Sequence, residues 1–130
     1  MDRSGYHRLL YVIAAIWNWA LAVMFLVLPR ISMNYFYLGG PAIPNVLIWF
    51  DCFMGLVFAF GVGFYLVSLN PKQNYGLIEI AVLEKTWVFI VGLLYFLVGQ
   101  ASALLLGIVS GDLVFGLLFI EDLMRIRKLP

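Results

Sequence analysis

The chain is short of charge, and it has a single cysteine and a single histidine; charged residues are 12% of its 130 positions against a hydrophobic share of 65%. So little charge excludes an ordinary soluble domain. The lone thiol, Cys52, excludes an intramolecular disulfide and any Cys-x-x-Cys motif, and with them a quinone-linked disulfide-forming enzyme. Cys52 is read instead as a small apolar packing residue. The lone imidazole, His7, has no second His or Cys beside it, which argues against a metal centre. A formal charge of +1 makes no electrostatic case for nucleic acid.

What is present is a series of four apolar runs, about 9–28, 46–68, 77–98 and 103–123, each near the length a tilted transmembrane helix needs. Pro29 to Pro44, Asn70 to Asn74 and Gly99 to Ser102 separate them with turn-forming residues. The expected fold is all-α: residues 1–130 form a single domain, a four-transmembrane-helix up-down bundle. The first run is too long for a cleavable leader and is interrupted by Trp17-Asn18-Trp19, so it is expected to be retained.

Arg3, Arg8, Lys72, Arg125, Arg127 and Lys128 flank one side of these runs, and Arg30 alone flanks the other. The positive-inside rule then places both termini in the cytoplasm, with the bacterial or archaeal cytoplasmic membrane as the expected location. Ile31, Met33, Tyr35, Phe36 and Tyr37 make the first connection too apolar for a free loop, and they are expected to lie along the interface as a belt anchor. Rows of small residues spaced by four (Ala14, Asn18, Ala22; Gly55, Ala59, Gly63; Ala103, Gly107, Gly111) are expected to mark packing faces. A homodimer or a larger membrane complex would supply a symmetry that the sequence lacks.

The exception within this apolar pattern is the polar set Asn18, Asp51, Glu84, Lys85 and Asp112. A charge at bilayer depth costs roughly 2.5 to 3.5 kcal/mol, so these side chains should face protein, water or a ligand. Counted back from the Gly99 to Ser102 turn, Lys85 and Asp112 differ in height by roughly 5 Å at the helical rise. A lysine side chain spans that, which predicts a Lys85 to Asp112 ion pair between antiparallel neighbours. Glu84, about 100° away on the same helix, should face an adjacent helix. One amine among several acids leaves a surplus carboxyl, expected to hold a proton and fit to bind a proton or a cationic ligand. The same groups would also serve simply to lock helix register. Glu79, Glu121, Asp122 and His7 are expected at the solvated edge.

The Asn in Trp17-Asn18-Trp19, then Gly55, Gly61 and Tyr65, then Glu84-Lys85, then Gly111-Asp112-Leu113-Val114-Phe115 with Leu118-Phe119 and a basic tail, form an order that resembles the small four-helix bacterial membrane proteins of the DoxX-like kind. The resemblance covers nearly the whole chain. It implies that Asn18, Lys85 and Asp112 are the polar positions of the family pattern, and it brings a link to quinone-coupled oxidation of sulfur compounds; Asp51-Cys52 and Glu84 lie outside the pattern. A more distant similarity is to sterol-isomerase-like four-helix proteins, whose intramembrane carboxylates Glu84, Asp51 and Asp112 would match. Small multidrug exporters use a Glu in the first helix, where this chain has only Asn18.

Three functions are therefore expected, in this order. The first is a binding or accessory membrane protein holding a lipid-like or quinone-like molecule at Asn18, Asp51, Glu84, Lys85, Asp112 and Tyr65, with Trp49, Trp87 and Tyr95 lining the cavity, as a subunit of a quinone-linked complex. The second is a lipid- or isoprenoid-modifying enzyme with Glu84 or Asp112 as general acid. The third is a structural bundle acting by association.

Overall fold

The computed structural model describes residues 2–128. Its helices are α1 (Arg3–Ile31), α2 (Ile48–Leu69), α3 (Tyr75–Leu97) and α4 (Ala103–Ile126), with a short 3-10 helix at Met33–Leu38. All four are long and apolar enough to cross a membrane. They extend past the apolar runs mainly at the basic end. There α1 begins six residues before Leu9, where the Asp2 carboxylate accepts from the Gly5 amide at 2.8 Å, an ordinary N-cap. α4 likewise continues to Ile126.

Local chemistry sets each boundary. Pro29 lies in the last turns of α1, which ends at Ser32, whose hydroxyl then caps the 3-10 helix by accepting from the Asn34 amide at 3.3 Å. α2 stops at Asn70, extended because Pro71 follows it. The Asn74 side chain donates to the freed carbonyls of Leu66 and Asn70 at 3.4 and 2.7 Å. α3 ends in a Schellman motif: Gly99 has φ +77, and the amides of Gln100 and Gly99 donate to Tyr95 and Phe96 carbonyls at 2.8 and 3.1 Å. Ser102 then caps α4 by accepting from the Leu105 amide at 3.1 Å.

The chain forms two tight helical hairpins, α1 with α2 and α3 with α4, which face each other across a layer of larger side chains. Within the hairpins glycine permits the approach: a Cβ on Gly61 would stand 2.5 Å from the Trp19 indole, and one on Gly92 would stand 2.6 Å from Val109. Between the hairpins, Tyr11 stacks on Phe119 at 4.9 Å and Phe64 tilts against the same ring at 5.1 Å. Leu10, Ala14, Ala15, Val67, Ile78 and Ala81 complete this core. Outward positions remain apolar, for example Ile16, Leu56, Leu83 and Leu117, as a lipid-facing surface requires.

The small-residue rows correspond to packing faces only in part. Ala14, Asn18 and Ala22 are buried together. At Gly55 and Gly107, however, a Cβ would meet no atom of a neighbouring element within 4 Å, and Ala59 is exposed. The buried face of α2 instead runs through Met54, Val57, Gly61, Phe64 and Val67.

With antiparallel helices, the described termini and the Asn70–Asn74 loop share one end, which also gathers Arg3, Arg8, Lys72, Arg125, Arg127 and Lys128. At the opposite end the first connection is tied to the α3–α4 turn. The Ser102 amide donates to the Gly39 carbonyl at 2.9 Å, and the Ser102 hydroxyl donates to the Leu38 carbonyl. Tyr35 and Tyr37 on this segment are exposed, while Phe36 packs edge-on against Phe50 at 4.8 Å.

Candidate functional site

One polar network joins all four helices at the middle of the bundle. Lys85 on α3 donates from Nζ to Asp112 Oδ1 on α4 at 2.7 Å and to Asn18 Oδ1 on α1 at 2.9 Å. The other end of the Asn18 amide donates to the Val57 carbonyl on α2 at 3.1 Å, and the Trp17 indole N–H donates to Asp112 Oδ1 at 3.2 Å. Lys85 is 1% exposed, and its Nζ also stands 5.4 Å from the Phe64 ring centre. Gly116 is the residue that gives the lysine stem room, since a Cβ there would lie 3.3 Å from Lys85 Cβ. The hydroxyls of Thr86 and Ser110 stay out of this network, donating within their own helices to the Val82 and Leu106 carbonyls.

Glu84 is the second acid at this point. Its Oε2 lies 3.8 Å from Lys85 Nζ, inside ion-pair range but beyond a hydrogen bond, and it is buried without a hydrogen-bond partner. A cavity of about 70 Å³ opens beside it, lined on its polar side by Asn18, Glu84, Lys85 and Asp112. That space is well under the roughly 150 Å³ that admits a benzene ring, so it has room for a few waters but not for a ring. A second cavity of about 240 Å³ lies beneath the first connection, against Pro29, Tyr35, Phe36 and Phe50. The two share Phe25, Met54 and Leu105 as wall residues.

Of the residues expected at the site, Asn18, Glu84, Lys85 and Asp112 converge, and two do not. Asp51 sits in the first turn of α2, where Arg30 holds it at 2.7 Å in a half-exposed pair. The long first connection lets the end of α1 meet the start of α2, so Asp51 finds its cation locally. Tyr65 is exposed, as are Trp49, Trp87 and Tyr95. Trp87 is two residues from Lys85, about 200° around the helix, so it cannot share that face. Cys52 is also exposed rather than packed.

Of the residues expected at the solvated edge, Glu79 is exposed and Glu121 partly so, but Asp122 and His7 are buried instead. Asp122 is 1% exposed; Arg3 donates to one of its oxygens, and the other meets His7 Nδ1. His7 is itself buried, its ring 4.7 Å from Tyr11. Glu121 bridges Arg3 and Arg125, and Glu79 pairs with Arg127. Hydropathy alone does not reveal the Asp122 group, because His7 precedes the first apolar run and Asp122 sits at the very end of the fourth, where charge is expected to be solvated. The usable signal is the helical spacing of His7 with Leu10, Tyr11 and Ala14, and of Asp122 with Phe119 and Ile126.

Comparison with protein families, with curated proteins and with solved structures finds no match to this chain.

Proposed function

We propose that this chain is an integral membrane binding protein of the DoxX-like kind, with both termini on the cytoplasmic side, whose Lys85 cluster receives the polar head of a lipid-like or quinone-like molecule. The orientation follows from the basic bias of one end. The observation that carries the binding reading is the shared wall: cavities of about 70 and 240 Å³ meet at Phe25, Met54 and Leu105. Joined by rotation of those flexible side chains, they approach the lower bound of small-molecule sites, roughly 300 Å³. An apolar body would occupy the chamber beneath the connection, and a carbonyl head would reach Glu84.

The chemistry at the head is specific. Lys85 already balances Asp112, so a protonated Glu84 adds no net charge and presents an O–H donor to the ligand. A neutral acceptor such as a quinone carbonyl matches it. As an accessory subunit of a quinone-linked membrane complex, the protein would hold its ligand without reacting with it. The unpartnered Glu84 oxygen also supports a second reading, a lipid- or isoprenoid-modifying enzyme with Glu84 as general acid. Loss of turnover on isoprenoid-like substrates in Glu84→Gln would favour the enzyme.

Native mass spectrometry of gently purified protein tests the binding reading. A retained small apolar molecule that disappears in Met54→Trp, with the fold intact, is the expected result. Wild-type protein that carries no such molecule, even after incubation with a short-chain quinone, would remove the proposal.

A further inference from the structure

At the basic end the bundle opens into a cleft of about 620 Å³ between the start of α1, the end of α2 with its loop, and the end of α4. It shares no lining residue with the Lys85 cavity. Its floor is the buried pair of His7 and Asp122. His7 Nδ1 faces Asp122 Oδ2, and Nε2 stands 3.4 Å from the Val67 carbonyl oxygen, so both ring nitrogens have a polar partner. Arg3 engages the remaining Asp122 oxygen and reaches Glu121 at 2.9 Å. Arg8 and Lys72 line the rim of the same cleft and, with Arg3 and Arg125, make it predominantly basic.

A basic helix end by itself reports only orientation. Here the charge lines a concave space within the size range of small-molecule sites, about 300 to 1,000 Å³, and Leu69, Pro71 and Ile126 give it an apolar wall. Positive rim, polar floor and apolar wall together fit an amphiphile with an anionic head. Basic pockets between helices on the cytoplasmic side take phosphate headgroups for the same electrostatic reason. We infer that this cleft binds a phosphate group, presented by an anionic lipid, with Arg8 and Lys72 meeting the phosphate over the His7 floor.

The single histidine makes the test direct, because ¹⁵N-imidazole labelling gives one set of signals, from His7. The full chain is placed in nanodiscs of neutral phosphatidylcholine, and phosphatidic acid or inorganic phosphate is added in separate titrations. The expected result is a saturable His7 shift with phosphatidic acid, weakened about 30-fold in Arg8→Gln/Lys72→Gln at about fivefold per surface cation, and kept in Arg8→Lys/Lys72→Arg. A shift with inorganic phosphate as well supports the same site with the free ion as a further source. No shift with either probe, or undiminished affinity in the glutamine double variant, overturns the inference. Both rim residues are exposed, so the variants retain the fold that the measurement needs.

Discussion

Lys85 and Asp112 stand 2.7 Å apart across the α3–α4 hairpin, and the same amine reaches Asn18 on α1 at 2.9 Å. Removing one partner leaves the other charge buried, which typically costs about 3 to 5 kcal/mol, whereas removing both together costs far less. Lys85→Met and Asp112→Asn should each lower stability by that order, and the double variant should recover much of the loss. Unfolding curves in detergent, combined as a double-mutant cycle, check this; simple additivity would mean that the pair is not coupled.

Gly61 and Gly92 separate from Gly55 and Gly107 by what surrounds them. Gly92→Ala drives a methyl against Val109, and Gly61→Ala drives one against Trp19; each is expected to cost about 1 to 3 kcal/mol as overpacking. Gly55→Ala and Gly107→Ala meet open space and should be neutral or slightly stabilising, since alanine favours helix. Thermal denaturation of the four single variants in one detergent makes the comparison.

Asp122 anchors the basic end through Arg3 and His7. Asp122→Ala strands a buried imidazole and is expected to destabilise by about 2 to 4 kcal/mol, because buried partners lose more than a bond when unpaired. Arg30→Gln, which releases the half-exposed Asp51 pair, should change stability far less, because an exposed ion pair is screened by solvent. Equal losses in the two variants would contradict the difference in burial.

Met54 is part of the wall between the two cavities. Met54→Ala should merge them at a stability cost of about 2 to 5 kcal/mol and raise retention of a bound apolar molecule, the opposite of Met54→Trp. Quantitative extraction of bound lipid from both variants tells the two outcomes apart.

The convergence of Lys85 and Asp112 is legible in the sequence because the turn at Gly99 is short, so α3 and α4 must be neighbours and helical rise alone aligns the two side chains. Asn18 is legible as a third member from its mid-run position. Asp51 is not, because a long connection leaves the relation between the ends of α1 and α2 open and hides Arg30 as its partner. His7 and Asp122 escape for a different reason: capping by Asp2 starts α1 ahead of its apolar run, and Asp122 falls in the last turn of the fourth run, where hydropathy alone suggests a solvated edge. Spacing by four identifies a row such as Gly55 and Ala59, but it carries no information about which way that row faces.

Ser102 holds the Leu38 and Gly39 carbonyls from the far hairpin. The covering over the larger chamber is therefore fastened by the half of the chain that is synthesised last. A polypeptide ending before Ser102 would have α1 and α2 in place yet lack those two fastenings, so closure of that chamber belongs to the completed four-helix unit rather than to its first pair.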